Sequence, residues 1–303
     1  MARIALVVPG GVDRSGRERV IPVLLWLIER LARRHELSVF ALHQYEEPCV
    51  YSLLGATVYN LGSVPRGALP GLALWRRGRL LVRALRAAGP FDVLHAFWGD
   101  TTGWLTVMAG RWLDVPVLVS LGGGELVALP EIGYGSQLHA RARLQVAQVG
   151  QLAVRMTAAT PAMCRQAEAR GFPVLEVPLG VDKRCFAPPL ARPGPPWRLL
   201  HVASLNPVKD QATLLRALRR VIDAEPAVHL DIIGEDTLNG QIQAQAVALG
   251  LDHHITFHGF LPNDEIRAFY QRSHLFVLTS RHEAGPVAVL EAAACAVPTV
   301  GTA

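Results

Sequence analysis

The chain has few cysteines and no long uncharged apolar run, and each of these absences excludes a class of protein. Cys49, Cys164, Cys185 and Cys295 lie far apart, without the CxxC spacing or Cys/His pairing of a zinc site or a disulfide framework. No run reaches the roughly 18 uncharged apolar residues that a membrane-spanning helix needs. We therefore expect a protein of the reducing cytoplasm, without a metal site.

Acidic residues are outnumbered, since 30 Lys and Arg against 25 Asp and Glu give a formal net charge of +5 at pH 7. An excess of positive charge suits an anionic partner, such as a nucleotide sugar, an acidic lipid surface or a nucleic acid. The charge alone does not choose among them. At 303 residues and 50% hydrophobic composition, the chain is long enough to bury the cores of two domains.

Short apolar runs recur along the chain with amphipathic stretches between them. As strands we predict the segments 4–8, 37–42, 92–95, 117–121, 174–177, 199–203, 229–233, 255–258 and 275–280. The segment 20–34 carries Leu24 and Ile28 on one face and arginines largely on the other, as expected of a crossover helix. This alternation predicts an α/β fold with parallel sheets covered by helices.

Proline marks a domain boundary. The prolines of one short segment, which leave it too stiff and too poor in N–H donors for a helix or a strand, are Pro188, Pro189, Pro193, Pro195 and Pro196. We therefore predict a first domain of residues 1–186, a linker of 187–196 and a second domain of 197–303. The second domain ends in the apolar run 298–303, which we interpret as a buried strand of a truncated, incomplete domain.

A pair of carboxylates frames a turn near the C-terminal end. Glu283 and Glu291 stand eight positions apart after a predicted strand, with Gly285, Pro286 and Val287 at the expected start of a helix. A helix N-terminus presents unpaired backbone N–H groups and about half a positive charge, which suits an anion such as a diphosphate. Two glutamates at this spacing are also found by chance as solvated side chains, so it is the strand-turn-helix context that favours a site.

This region resembles the C-terminal half of the family 4 glycosyltransferases, which are retaining enzymes of the GT-B fold. The segments that carry the resemblance, in order, are 178–182, 202–210, 230–234, 255–259, 280–283 and 291–298. The likeness covers nearly the whole chain and is tightest from 178 to 303. It implies an α/β fold of two doubly wound, Rossmann-like domains facing a cleft, with the second domain incomplete in this chain.

The resemblance also implies roles for single residues. Glu283 matches the glutamate that contacts the hydroxyls of the transferred sugar, Glu291 the one that holds the ribose, and Lys209 the lysine that neutralises the diphosphate. Lys209 could also be an ordinary surface lysine in a turn. Such enzymes need neither a metal nor a cofactor, because side-chain cations and helix N-termini stabilise the departing diphosphate. In the front-face mechanism usual for retaining members, the leaving phosphate oxygen accepts the proton of the acceptor.

One cation that the family usually has is missing. Members mostly carry an arginine at the position of Ser204, where it would bind the donor phosphates. A charge-assisted hydrogen bond to phosphate is worth about 1.5–3 kcal/mol, so its loss from a transition state would lower the rate roughly 10- to 100-fold. Arg281 is close in sequence to Glu283, and it is our candidate to substitute for the missing arginine.

The N-terminal half resembles the acceptor-side domain of the family more loosely. Gly16 matches the glycine-rich loop that approaches the donor phosphates. The residues expected to line the acceptor path are Gly10, Gly11, His95 and Gly123. Phe97 and Gly122 stand where many members have histidines, so His95 is either a site residue or a histidine that packs or hydrogen-bonds within the sheet. The glycines 122–124 are either a ligand-binding turn or merely a mobile one.

A basic stretch follows the first strands. As a helix, residues 75–86 would gather Arg76, Arg79, Arg83 and Arg86 on one side, with leucines opposite. Such a stripe could rest on anionic lipid headgroups and give peripheral contact with the inner face of the membrane. The alternative is an ordinary crossover helix with its leucines in the core and its arginines in water.

These observations together predict a retaining glycosyltransferase that moves a sugar from a nucleoside-diphosphate-sugar to a hydroxyl of a sugar, lipid-linked or small-molecule acceptor. We expect no nucleic-acid partner. One alternative is a non-catalytic or impaired nucleotide-sugar-binding fragment, which Ser204 and the truncation favour. Another is a GT-B nucleotide-sugar epimerase, which needs no acceptor. A dinucleotide oxidoreductase is disfavoured because no GxGxxG follows the first strand.

Overall fold

The computed structural model describes residues 1–63, 70–192 and 194–302, so that Pro193 of the predicted linker and Ala303 of the predicted second domain lie outside the described residues. The chain forms two compact units, Met1–Leu179 and Gly180–Ala303. Each unit is an α/β structure built on its own sheet and its own hydrophobic core. The predicted α/β class is therefore confirmed for both.

The division between the units falls earlier than the predicted end of the first domain at residue 186. Phe186 is buried in the second unit, where its ring meets Tyr270 edge-on with 5.7 Å between the centroids. The proline-rich segment is attached to the same unit, because the carbonyl oxygen of Ala187 accepts from Gln271 and Arg192 donates to the carbonyl oxygen of Cys295. Where it is described, the predicted linker 187–196 is therefore part of the surface of the second unit.

Within its described residues, the first unit has an eight-stranded sheet in the order β3-β4-β2-β1-β5-β6-β7-β8. The strands are β1 (Arg3–Val8), β2 (Glu36–Ala41), β3 (Cys49–Leu53), β4 (Ala56–Asn60), β5 (Val93–Phe97), β6 (Val117–Ser120), β7 (Arg155–Ala158) and β8 (Val174–Glu176). Neighbouring strands are parallel except for β3 and β4, which form an antiparallel hairpin at the edge. The hairpin turns through Leu54 and Gly55, both at positive φ.

Helices cover this sheet. They are α1 (Pro22–Ala32), α2 (Pro70–Ala88), α3 (Thr101–Leu113), α4 (Ala140–Leu152) and α5 (Pro161–Glu168), with 3₁₀ turns at Gly124–Leu126, Pro130–Ile132 and Ser136–Leu138. Leu24 and Ile28 of α1 are completely buried, as the helical periodicity predicts. Helices α2, α3 and α4 pack side by side. No helix in the described part of the chain is both long and apolar enough to cross a bilayer.

The second unit has, among its described residues, a five-stranded parallel sheet in the order β11-β10-β9-β12-β13. The strands are β9 (Trp197–Val202), β10 (Val228–Ile233), β11 (Ile255–Phe257), β12 (Leu275–Leu278) and β13 (Thr299–Gly301). The helices are α6 (Gln211–Ala224), α7 (Gln241–Ala248), α8 (Asn263–Arg272) and α9 (Val287–Ala294). Leu214, Leu215 and Leu218 of α6 are buried against this sheet, whereas the arginines of the same helix face outward.

The strand order creates a switch point in the second sheet. The chain passes from β9 to β10 on one side of β9 and later to β12 on its other side. The loops that follow β9 and β12 therefore leave neighbouring strands toward opposite faces of the sheet and open a crevice at their carboxyl ends. Open α/β sheets bind their ligands at such points.

Candidate functional site

Lys209 and Glu283 meet at this switch point. Lys209 lies in the loop after β9 and Glu283 in the loop after β12, and Nζ of Lys209 is 2.5 Å from Oε1 of Glu283. Each side chain is 24% exposed, so both remain within reach of a ligand. The hydroxyl of Ser280 donates to the same carboxylate oxygen at 2.6 Å. The structure thus brings together Glu283, predicted to contact the transferred sugar, and Lys209, predicted to neutralise the diphosphate; these are the two residues that we predict to be catalytic.

Hydrogen bonds fix the backbone around this pair. Oδ1 of Asn206 accepts from the backbone N–H groups of Val208 and Lys209 at 3.1 and 3.2 Å, which closes the loop after β9 into a turn. The hydroxyl of Thr279 lies 3.1 and 3.0 Å from the carbonyl oxygens of Lys209 and Asp210 and shares its proton between them. The lysine loop is therefore fastened to the end of the neighbouring strand, which limits how far the two charged side chains separate.

A buried histidine lies close to the pair. Burial lowers the pKa of His201 to about 4, although its hydrogen bond to the carbonyl of Val277 acts in the opposite direction. Nδ1 lies 2.9 Å from that carbonyl oxygen, which only accepts, so Nδ1 carries the proton and Nε2 accepts from the amide of Gln211 at 3.2 Å. At neutral pH His201 is uncharged and adds no positive charge to that of Lys209.

Glu291 is placed differently from Glu283. It stands on the second turn of α9, it is 4% exposed, and its Oε2 accepts a hydrogen bond of 2.8 Å from the hydroxyl of Tyr270. Burial raises the pKa of this carboxyl group to about 7, against the lowering effect of the Tyr270 hydrogen bond. The ribose contact of Glu291 stays a prediction.

The predicted helix start after Glu283 is confirmed. Pro286 is the residue before the helix, and α9 begins at Val287, immediately after Gly285 and Pro286. The first N–H groups of a helix have no partner within it and carry a partial positive charge, which suits an anion. In the described part of the chain, no group of three or more His, Cys, Asp or Glu side chains is arranged to hold a metal ion.

The side chain of Arg281 forms an ion pair, whereas Ser204 is exposed. The carbonyl oxygen of Ser204 accepts from the side-chain amide of Gln211 at 3.1 Å. Nε of Arg281 donates to Oδ2 of Asp210 at 3.2 Å, so a phosphate would compete with Asp210 for this guanidinium. The idea that Arg281 replaces the missing arginine stays a prediction.

Gly10 and Gly11, predicted on the acceptor side, and Gly16, predicted near the donor phosphates, lie in the loop that follows β1 in the first unit. Gly11 has φ +79°, and a Cβ there would stand 2.5 Å from the side chain of Ile21, so the turn and the close approach both require glycine. Gly10 is also tight, since its Cβ would be 3.2 Å from the carbonyl oxygen of His43. Gly16 has φ +66° and more room, with Leu53 at 3.7 Å.

Asp13, which the sequence did not single out, holds this glycine loop. It is buried, and its carboxylate accepts from the backbone N–H of Ser15, the hydroxyl of Tyr45 and the guanidinium of Arg19 at 2.9, 2.9 and 2.8 Å. Burial alone would raise its pKa, but these hydrogen bonds together lower it. The loop that carries Gly16 is thus ordered by a charged hub within the first unit.

His95 lies inside β5 and not at its end. It is paired in register with Leu6 and Leu118, it is buried, and its Nε2 is 2.8 Å from the hydroxyl of Ser120, which in turn is 2.8 Å from that of Thr157. Burial lowers its pKa to about 4. This geometry matches the alternative interpretation, a histidine hydrogen-bonded within the sheet, because β5 continues two residues beyond it.

A second buried carboxylate orders the triple glycine. Glu125 accepts from the backbone N–H groups of Gly99 and Gly122 at 2.9 and 2.8 Å through Oε1, and from that of Gly123 at 2.6 Å through Oε2. The ring of Trp98 covers Gly122, where a Cβ would lie 2.1 Å from the indole nitrogen. The loops after β5 and β6 are therefore joined by one side chain.

The side chains that support the site were not identified from the sequence. Ser280 lies within the segment 280–283 that carries the family resemblance, so a signal was present for it. Tyr270 and Glu291 are 21 positions apart in the sequence, and no local sequence pattern predicts their contact. Asp13 and Glu125 are single carboxylates near glycines, a pattern typical of turns, and only their burial and their hydrogen bonds show what they do.

Comparison with protein-family models gives two successive matches. The model described as "Glycosyl transferase 4-like domain" matches residues 20–180, more than half of the chain, and the model "Glycosyl transferases group 1" matches residues 182–303. The border between the matches coincides with the division between the two structural units.

Curated relatives match over almost the whole chain. The D-inositol 3-phosphate glycosyltransferase of Kineococcus radiotolerans is 27% identical, over 98% of this chain and 75% of its own length. The protein of the same name from Salinispora tropica is 26% identical, over 97% of this chain and 68% of its own length.

Solved structures share the fold. Sucrose-phosphate synthase from Thermosynechococcus elongatus superposes with a TM-score of 0.78 at 16% identity, over 99% of this chain and 81% of its own. HepE of Anabaena, solved in complex with UDP and glucose, superposes with a TM-score of 0.74 at 18% identity, over 99% of this chain and 80% of its own.

Proposed function

Because this chain belongs to the family 4 glycosyltransferases of the GT-B fold, we propose that it transfers a sugar from a nucleoside-diphosphate-sugar to an acceptor hydroxyl with retention of the anomeric configuration. The observation that carries the proposal is the contact of 2.5 Å between Lys209 and Glu283 at the switch point of the second sheet. A cation and a carboxylate side by side match the two ends of a sugar diphosphate.

Lys209 would hold the diphosphate. Its ammonium group has three N–H donors, and one of them serves Glu283, so the same group can also donate to a phosphate oxygen. The start of α9 supplies backbone N–H groups for the remaining phosphate oxygens. These donors stabilise the charge that develops on the leaving diphosphate, a role for which neither a metal nor a cofactor is required.

Glu283 would orient the transferred sugar. Its Oε1 is held by both Lys209 and Ser280, so we assign Oε2 to the sugar hydroxyls. A carboxylate fixed by two donors loses little conformational freedom when the sugar binds, which favours a single sugar orientation. Glu291 would hold the ribose through Oε1, while Tyr270 keeps its other oxygen.

The acceptor would lose its proton to the leaving phosphate oxygen. His95 and His201 are both buried and uncharged at neutral pH, and neither is placed as a general base. When the donor itself takes the proton, the acceptor attacks from the face that the diphosphate leaves, and the anomeric configuration is kept.

The comparisons guide the choice of substrates. HepE was solved with UDP and glucose, and the two curated relatives described above are named for D-inositol 3-phosphate. UDP-sugars as donors and D-inositol 3-phosphate among the acceptors are therefore the first compounds to test. Sugars and lipid-linked acceptors complete the panel.

The test is a transfer assay on the full chain with Lys209→Ala and Glu283→Gln. Removing one preorganised donor from a transition-state site lowers kcat roughly 100- to 1000-fold, which is the range we expect for Lys209→Ala. Glu283→Gln removes the charge that pairs with Lys209 and gives the sugar hydroxyls a weaker acceptor, so we also expect it to lower kcat. Nucleoside diphosphate release gives the rate, and NMR of the product gives its anomeric configuration.

Lys183→Ala is the matched control for the lysine, because Lys183 is exposed on the same unit. It is expected to keep the full rate. An inverted product would contradict retention, and conversion of the donor without any acceptor would indicate an epimerase. Donor binding in calorimetry with no turnover across the panel would indicate a nucleotide-sugar-binding module.

A further inference from the structure

A groove with aromatic walls lies between α2 and α3 on the first unit. Its volume is about 480 Å³, and its lining includes Trp75, Trp104, Met108 and Trp112. Trp75 is 55% exposed and Trp112 71%, which is unusual for such large side chains. The guanidinium of Arg79 lies 4.6 Å from the centre of the Trp75 ring. Exposed tryptophans next to cations are typical of surfaces that meet the membrane–water interface.

A cationic pocket adjoins this groove. It lies between α2 and α4, has a volume of about 480 Å³, and is lined by Arg77 and Arg141 together with His139 and Gln145. No carboxylate is among its described lining residues, so its two guanidinium charges are not compensated within it. Leu74 lines both the pocket and the groove. An apolar site and an anion site therefore share one wall.

The net positive charge of the chain is confined to this unit. Residues 1–179 contain 19 Lys and Arg against 13 Asp and Glu, a net charge of +6, whereas residues 180–303 contain 11 against 12, a net charge of −1. Helix α2 carries arginines at 76, 77, 79, 83 and 86 and has no acidic residue. The apolar groove thus lies on the surface where positive charge is concentrated.

We propose that the face formed by α2, α3 and α4 docks on a bilayer of anionic phospholipid. The groove takes an acyl chain between its tryptophans, and the adjoining pocket takes the lipid phosphate between Arg77 and Arg141. Charge complementarity selects this occupant, because a second copy of the chain would bring an equally positive face against the first. The inference does not rest on the proposed transfer reaction.

The structure also refines the predicted arginine stripe. Arg76, Arg79, Arg83 and Arg86 are exposed, as that prediction requires. Two leucines of α2 are exposed as well, Leu72 one turn before Arg76 and Leu80 next to Arg79. Leu81 and Leu85 are buried, so α2 is at the same time an ordinary packing helix. An exposed face that mixes arginine with apolar side chains matches an interface with headgroups and acyl chains better than a purely charged face does.

Vesicle flotation of the full chain tests the proposal. We expect binding to phosphatidylglycerol vesicles at low salt and weak binding to phosphatidylcholine vesicles. The double variant Arg77→Gln, Arg141→Gln is expected to bind roughly 10- to 30-fold more weakly, since each arginine near an anionic surface contributes substantially to binding. The matched control is Arg216→Gln, Arg220→Gln on α6, which removes the same charge from exposed positions of the second unit.

A second measurement tests whether the groove between α2 and α3 contacts the acyl chains of the lipid. With acyl-brominated lipid, we expect the tryptophan fluorescence of the wild type to be quenched on binding. The double variant Trp75→Phe, Trp112→Phe is expected to float with the vesicles but to lose most of this quenching. Absence of flotation with phosphatidylglycerol, or equal losses in the two arginine double variants, would overturn the proposal. A dimer in sedimentation that Trp112→Arg abolishes, without vesicle binding, would assign the groove to a second copy.

Discussion

The carboxyl group of Glu291 makes the stability of the fold depend on pH. Burial raises its pKa from an ordinary value of 4.5 to about 7, so between these values the folded chain keeps a proton that the unfolded chain has lost. Stability therefore falls as the pH rises from about 4.5 to about 7. Glu291→Gln keeps an acceptor for Tyr270 and has no charge to bury. We expect the free energy of unfolding to exceed that of the wild type by about 2–3 kcal/mol at pH 8.

Urea denaturation at pH 5 and pH 8 measures this difference. His95 and His201, whose pKa values burial lowers to about 4, have the opposite effect, because their stabilisation is lost as the pH falls from about 6.5 to about 4. Both proteins share that contribution, so it cancels in the comparison. An equal difference between variant and wild type at the two pH values would show that the Glu291 carboxyl group titrates in the ordinary range.

The sequence placed Lys209 and Glu283 each after a strand, but their contact spans 74 positions and depends on the order of strands in the sheet. Strand order is a non-local property, so only the family resemblance pointed to the contact in advance. For His95 the residues left two interpretations open, because the end of β5 decides between them and strand ends are poorly marked. Partners such as Tyr270 depend on helix packing, which no local motif encodes.

At the scale of elements, the turn after β10 supports the lysine loop. Gly234 has φ +152°, and a Cβ there would lie 2.0 Å from the carbonyl oxygen of Ala203. Gly234→Ala therefore forces both a strained backbone and a displacement of the loop that leads to Lys209. We expect it to destabilise the protein by about 3 kcal/mol and to weaken donor binding. Thermal denaturation and calorimetry measure the two effects.

Gly240→Ala is the control for backbone strain alone, since Gly240 has φ +82° and nothing within 4 Å of the added carbon. It is expected to destabilise by about 1 kcal/mol and to leave donor affinity unchanged. If both variants lose the same stability and neither affects the donor, the close contact of Gly234 with the lysine loop is unimportant.

Helices and strands with a clear hydrophobic pattern were predicted from the sequence. Those that depend on contacts with neighbouring elements were not. The buried strands and α1 follow from apolar runs and helical spacing. The hairpin of β3 and β4 was missed because neither strand is a continuous apolar run. Strand β7 was missed because its four residues, Arg-Met-Thr-Ala, do not form an apolar run. The domain border was placed late because proline stiffness marks a segment without showing which unit it packs on.

At the scale of the whole molecule, the candidate site and the excess positive charge lie in different units. The second unit holds the Lys209–Glu283 pair and has a net charge of −1, whereas the first unit carries +6 together with the aromatic groove. The overall charge of +5 therefore says little about the donor site that we propose, in which Lys209 is the cation assigned to the diphosphate. The excess positive charge belongs to the first unit, for which we propose a lipid surface as the anionic partner.

This division predicts two separate footprints in hydrogen exchange of the full chain. A nucleoside diphosphate at 100 times its dissociation constant slows exchange through the unliganded state about 100-fold, and we expect that protection in segments 203–210 and 279–288. Anionic vesicles are expected to protect segments 72–83 and 104–112 instead. Lys209→Ala should remove the first footprint alone, and Arg77→Gln with Arg141→Gln the second alone. Nucleotide protection confined to the α2–α3 face would contradict the assignment of the donor to the second unit.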